Sequence, residues 1–247
     1  MVLLRTQQLV NDNGLSRWAT VERPEPMDWK HVALILCDVW DLHWSRGATQ
    51  RLNKMVSTLN DFVNGLREKG VLIVHSPSDT LDYYRNSPAR NRIRNNSAPA
   101  PQEIISISFP PLPIDDSDGG SDSGEASDRV NQQVWSRQHP AIVINDQQDV
   151  ISDSGNEIYA YLKKEGIEWV FYAGVHANMC ILNRSFGIKN MLRWGFKPVL
   201  IRDLVDIMYN PAKPPYVNHD QALKLVVEYI EKFGCPSACS TELLNAK

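Results

Sequence analysis

The chain has 247 residues, 43% of them hydrophobic, and a net charge of −3. That length carries one large α/β domain or two smaller ones, and the apolar share suffices for a sizeable core. The slight acidity argues against a nucleic-acid or anionic-membrane partner, and no apolar run reaches the ~18 residues of a spanning helix.

Residues 1–29 are polar, include Pro24 and Pro26, and read as an extended N-terminal arm. The start lacks a long apolar stretch, so no signal peptide is expected and the location predicted is cytoplasmic. His31 to Cys37 is a continuous apolar run, the signature of a strand buried on both faces, with Asp38 directly at its end. Trp40, Asp41, His43 and Trp44 follow as a polar-aromatic loop. Residues 48–69 read as a helix, because Leu52, Met55, Val56, Leu59, Phe62, Val63 and Leu66 recur at helical spacing and Gly70 closes it. Val71 to His75 is the second buried strand.

From 76 to 136 the alternation breaks. Tyr83, Tyr84 and an arginine run precede proline-rich segments at 98–101 and 109–113, then an acidic, serine- and glycine-rich run at 115–125. Such an insertion is too long for an ordinary connection. It reads as a disordered linker or as a lid that covers the site. The acidic run lacks the spacing and terminal Glu of a calcium loop, so a solvated loop is the simpler reading.

Ala141–Ile144 reads as a third strand, 154–165 as a helix closed by Gly166, and 168–173 as a fourth strand. A helix from Cys180 to about Trp194, a fifth strand at 197–201 and a last helix at 219–233 complete the pattern. Strands alternating with helices make a three-layer α/β/α sandwich with a mostly parallel sheet. Residues 31–247 are expected to form this one domain, with the insertion at about 76–136. Ligands bind outside the carboxyl ends of such strands. Asp38, His75 and the Gly174–Cys180 turn all fall on that rim.

A thiol at a helix N-terminus faces unpaired N–H groups and a positive dipole end, which favour thiolate. Cys180 is therefore a candidate nucleophile, although a lone cysteine is more often a small buried hydrophobe. Four cysteines are too few for a disulfide framework. Cys235 and Cys239 are close enough to pair or bind metal, but two free thiols in a C-terminal tail is the simpler reading.

Gly174-Val175-His176-Ala177-Asn178-Met179-Cys180 resembles the nucleophile motif of the isochorismatase-like cysteine hydrolases, which include the nicotinamidases, and Cys37-Asp38-Val39 resembles that family's first strand. The resemblance covers about 31 to 233, without the 76–136 insertion. It implies the isochorismatase-like hydrolase fold, Asp38 as general base and Cys180 as nucleophile. It also implies a cis Val175–His176 peptide, with Val175, His176 and Ala177 helping to build the oxyanion hole. The implied activity is hydrolysis of a small amide, imide or carbamoyl compound through a Cys thioester. A small-molecule substrate and a homo-oligomer are expected, with neither nucleic acid nor membrane as partner.

This sequence departs from the family pattern in four places. The family triad has a Lys near the third strand, but no Lys stands between Lys69 and Lys163. Arg137 is the nearest replacement and His139 the second, unless Arg137 is a surface loop residue. Trp40-Asp41 stands where Gln-Asn is common. The spacing of His75, Asp79 and Asp82 does not match the nicotinamidase metal ligands, and although Asp41 and His43 could contribute, no metal or other cofactor is assigned. His176 replaces a small residue and either tunes the nucleophile, contacts the substrate in the pocket, or only packs. Trp40, His43, Trp44, His75, Tyr83 and Asn178 are the expected substrate contacts. The alternative function is a catalytically silent relative that binds a small ligand or a protein, its triad broken at the Lys position. Vinyl-ether hydrolysis of the isochorismatase type, which needs no cysteine, is a weaker third.

Overall fold

The computed structural model describes residues 1–94, 96, 101–126 and 129–246. Of the proline-rich stretch 98–101, only Pro101 falls among them. Eight strands form one sheet: β1 (Val2–Asp12), β2 (Leu15–Glu25), β3 (Val32–Cys37), β4 (Leu72–Ser76), β5 (Val150–Ile151), β6 (Trp169–Gly174), β7 (Lys197–Val205) and β8 (Ser237–Ala238). Their order is β2-β1-β8-β7-β6-β3-β4-β5. Pairing is parallel from β8 through β5 and antiparallel at β1. The helices are α1 (Arg46–Glu68), α2 (Pro88–Arg94), α3 (Gly155–Lys164), α4 (Cys180–Asn183), α5 (Ile188–Arg193), α6 (His219–Phe233) and α7 (Ser240–Asn245).

Side chains along a strand point alternately to opposite faces, and here both faces are covered. Leu34, Leu36, Phe171 and Ala173 pack against Leu52, Val56, Leu59, Phe62 and Leu66 of α1 and Leu243 of α7. Ile35, Val170 and Tyr172 pack against Ile158 and Leu162 of α3, Ile181 of α4 and Val226 and Ile230 of α6. That is why β3 and β6 read as unbroken apolar runs: neither face of the central strands meets water.

Three sequence readings are corrected. The N-terminal segment is not a loose arm but a hairpin, paired from Val2↔Glu25 to Asp12↔Leu15 and joined to the sheet at Arg5↔Ser237. Its polar, half-exposed pattern hid it, because only one face of β1 is covered. Arg5 and Gln7 anchor it to the buried Glu231 of α6, each at 2.8 Å.

Ala141–Ile144 is not a strand. The Val143 N–H donates to Asn60 at 2.9 Å and its carbonyl accepts from Arg67 at 3.0 Å, so side chains of α1 take the bonds a ladder would use. The strand beside β4 is the two-residue β5 instead.

The helix after Cys180 is interrupted between α4 and α5. Arg184 caps α4 with ψ 158°, turning the chain outward. Phe186 is fully buried in that break, and its carbonyl accepts from the Tyr172 hydroxyl. A continuous helix would carry Phe186 away from this position.

β3 leads to β4 and β5 on one side of the sheet, and the chain then crosses to β6 on the other side of β3. The crevice at the carboxyl ends of β3 and β6 is thus the topological switch point.

Candidate active site

Asp38 leaves β3 in the left-handed region, with φ +48°. Its N–H donates to the Ser76 carbonyl at 3.0 Å, and its Oδ1 accepts from the Ser78 N–H at 2.9 Å. These bonds turn a fully buried carboxyl toward the end of β6. There Gly174, at φ +110°, opens the turn, and the Val175–His176 peptide is cis. The Cys180 thiol at the start of α4 lies beside the Asp38 carboxyl and the His176 backbone, close enough for both to act on its titration.

The cation at this pair is Arg184, not Arg137. Arg184 Nε donates to Asp38 Oδ2 at 3.0 Å, and its NH2 lies 3.4 Å from Asp79 Oδ2. Arg137 points to the surface, where its NH1 donates to the Tyr83 hydroxyl at 2.9 Å. His139, the second replacement, lies beside Asn53 at 3.1 Å. Arg184 was not among the predicted residues. The signal for it is local: a cation four residues after a cysteine at a helix start falls on the same face of the turn.

Burial pushes the Asp38 carboxyl above its usual range and outweighs the opposing pull of Arg184 and Ser78. Burial, and then the Asp38 charge, raise the Cys180 thiol well above an ordinary cysteine, with Arg184 opposing. The expected helix-driven thiolate is therefore corrected. α4 is only four residues long, and desolvation beside an anion outweighs its small dipole.

Cys180 and Arg184 line a cavity of 380 Å³ together with Leu112, Asp116, Asn178 and Met179. Asn178 is buried and clamps this wall, donating to Asp116 at 2.8 Å and to the Met208 carbonyl at 3.0 Å while accepting from the Met208 N–H at 3.0 Å. The other expected contacts fall elsewhere. Trp40 lies behind the site: its ring stacks on Trp135 at 4.1 Å and sits 5.9 Å from the Arg184 guanidinium. His43 and Trp44 line a neighbouring cavity of 680 Å³. His75 is wholly buried between Gln138 at 2.8 Å and Asp149 at 3.0 Å, so it braces β4 rather than meeting a ligand. Tyr83 is exposed beside Arg137.

Val175, His176 and Ala177 are buried in the turn. The His176 ring faces His43, edge to face at 5.0 Å, and Asp206 at 4.0 Å; it is not part of the Cys180 cavity wall. Burial, then His43, hold the His176 imidazole down to about 3, so it is neutral at pH 7.

Described residues of the insertion pack against the start of α1 and the cavity. Glu125 accepts from the Arg46 N–H at 2.9 Å and Ser123 from the Gly47 N–H at 2.8 Å, capping α1, while Asp122 pairs with Arg51. The acidic run thus satisfies the free N–H groups and positive end of a 23-residue helix, which is what its charge suits. It also brings Leu112 and Asp116 to the cavity. Among the described residues, no three His, Cys, Asp or Glu side chains converge as a metal site. Cys235 and Cys239 are free thiols, and among the described residues no helix is long and apolar enough to cross a membrane.

The sequence matches no protein-family model and no curated protein. Solved structures do match. A cysteine hydrolase from Pseudomonas syringae pv. phaseolicola 1448A aligns over 90% of this chain and 94% of its own, with 14% identity and TM-score 0.55. An isochorismatase from Pseudomonas putida KT2440 aligns over 89% and 93%, with 13% identity and TM-score 0.52. An isochorismatase-like hydrolase from Alkaliphilus metalliredigens aligns over 88% and 96%, with 13% identity and TM-score 0.51. With its mostly parallel sheet, its two helical layers and these neighbours, the chain has the isochorismatase-like hydrolase fold.

Proposed function

We propose that the protein is a cysteine hydrolase acting on a small amide, imide or carbamoyl compound. The observation that carries this reading is the meeting of the Cys180 thiol, the Asp38 carboxyl and the Arg184 guanidinium at one wall of a small cavity. The likeness of fold to a cysteine hydrolase is consistent with it.

In this mechanism a substrate carbonyl enters above Cys180. As the sulfur attacks, its proton passes to Asp38, a base within hydrogen-bond reach whose raised pKa suits it to hold that proton. A carbon–sulfur bond forms, and the carbonyl electron pair moves onto oxygen. The His176 backbone, which acts on the sulfur, is one source of an N–H for that developing charge. The carbon–nitrogen bond then breaks, and Asp38 returns the proton to the leaving nitrogen. Water adds to the thioester, giving its proton to Asp38, and the carbon–sulfur bond breaks to release the acid and restore the thiol.

Arg184 pulls the Asp38 carboxyl back toward its ordinary range against the effect of burial. A high-pKa thiol is not an obstacle, because the proton leaves as charge moves onto the substrate oxygen and never has to form a free, solvated thiolate. The silent, binding-only alternative rested on a missing cation, and the Arg184 guanidinium at 3.0 Å from Asp38 favours the enzyme over it.

The test combines labelling with turnover. Iodoacetamide near neutral pH is expected to label Cys180, with Asp38 taking the proton as the sulfur attacks, faster than the buried Cys37 and Cys235, and Asp38→Asn to slow that labelling. Ammonia release from a panel of small primary amides is expected for the wild type and absent for Cys180→Ala. Equal, slow labelling of all four thiols, or full turnover by Cys180→Ala, overturns the reading.

A further inference from the structure

The charges around the cavity are unevenly satisfied. Arg184 is its one lining cation, and two carboxylates already hold it: Asp38 at 3.0 Å and Asp79 at 3.4 Å. Lys189 is not a lining residue; it donates to Asn183, which is one, at 2.7 Å and lies over the Phe109 ring at 5.1 Å. Asp116 stands on the lid wall. Its Oδ2 accepts from the Asn178 amide at 2.8 Å, which fixes the side chain, but among the described residues no cation lies within ion-pair distance of it. The cavity therefore offers one spent cation and one oriented, uncompensated anion.

Resting on the cysteine-hydrolase reading, we infer that this pocket selects substrates bearing a cationic nitrogen, an ammonium or amidinium, with Asp116 as the specificity-determining residue. A small substrate reaching from the Cys180 sulfur to the lid wall places such a group against Asp116, where it meets a half-buried carboxylate whose orientation is set in advance. A substrate carboxylate at that place meets Asp116 with no free guanidinium to answer it, because moving Arg184 to the ligand would strip Asp38 of its partner. Like charges brought together in a pocket are a strong element of rejection. Asn178 then has a second purpose: it joins the nucleophile turn to the lid and aims the selecting carboxylate.

The experiment measures alkylation of Cys180 by 2-bromoethylammonium (cationic), iodoacetamide (neutral) and iodoacetate (anionic), each rate divided by that with free 2-mercaptoethanol. The wild type is expected to favour the cation over the anion by roughly 10- to 100-fold, the size of a charge-assisted hydrogen bond. Asp116→Asn, whose side-chain oxygen can still accept from Asn178, is expected to bring that ratio within about 3-fold of unity. A wild-type ratio near or below unity, with Cys180 still the thiol that reacts, overturns the inference and leaves the hydrolase reading intact. A Cys180 inert to all three reagents overturns both. Should Asp116→Asn fail to fold, the wild-type ratio decides alone.

Discussion

Arg184 lies four residues beyond Cys180, and its Nε donates to Asp38 at 3.0 Å, so one turn of chain supplies both the sulfur and the cation that faces the Asp38 carboxyl. Asp38 reaches the same point from the end of β3, held by the Ser78 N–H. The cluster thus joins two residues of one short turn to the residue that follows β3, brought together by the parallel pairing of β3 with β6.

Arg184→Met is expected to lower kcat/KM for a small amide by about 10²–10³-fold, the usual cost of losing one fixed electrostatic contact in an active site. The acid limb of the pH profile moves to higher pH, because Arg184 is what lowers the Asp38 carboxyl against burial. Arg184→Lys does not restore the wild type: a single ammonium on a flexible stem cannot reproduce a planar fork that spans Asp38 and Asp79. Profiles of kcat/KM from pH 4 to 9 for the three proteins check this, and an unmoved acid limb in Arg184→Met counts against it.

Asp38→Asn is expected to abolish Cys180 reactivity without lowering stability at pH 7. A carboxyl whose folded pKa is raised contributes stability that is complete below its ordinary value and lost as pH rises through the folded one. Ionising the buried Asp38 therefore costs stability as pH rises, a cost the neutral amide removes. Urea midpoints at pH 7 are the measurement, and a clear fall for Asp38→Asn contradicts the expectation.

Asp206 behaves in the opposite sense. Burial alone would raise it, but the His219 hydrogen bond at 2.8 Å, with His176 and Arg51, holds it at about 2. A lowered carboxyl stabilises above its unfolded pKa, and that stability is lost as pH falls through the folded one. The shift corresponds to about 2 kcal/mol at neutral pH. Asp206→Asn is expected to cost roughly that amount at pH 7 and progressively less between pH 4 and pH 2. Equal destabilisation at pH 7 and pH 2 would show that packing, not ionisation, accounts for the loss.

Gly174→Ala is expected to destabilise by more than about 1 kcal/mol and to remove Cys180 reactivity. Gly174 sits at φ +110°, and an added Cβ would meet the Cys37 carbonyl and the Val39 side chain. Since the Val175 N–H donates to that same carbonyl at 2.9 Å, relief of the clash displaces the turn that carries His176. Thermal unfolding and iodoacetamide labelling of the variant report the two effects separately, and a variant with wild-type labelling shows that the turn tolerates the methyl group.

The sequence alone determined the central sheet, because strands buried on both faces must be unbroken apolar runs and the intervening helices must show a 3.6-residue stripe. It also located Asp38 and Cys180 on one rim, since parallel strands bring their carboxyl ends together. Only the tertiary structure decided the charge partner. Arg184 and Arg137 are equivalent as residue types, and the difference lies in the break between α4 and α5, which exists because Phe186 is buried under Tyr172. The hairpin was hidden for a similar reason: β1 is half covered and β2 mostly exposed, so neither shows the apolar run of a central strand. The thiol's state was likewise undecidable from spacing. The helix start that favours thiolate is visible in sequence, but the burial and the neighbouring Asp38 charge that overrule it are set by contacts between residues far apart along the chain.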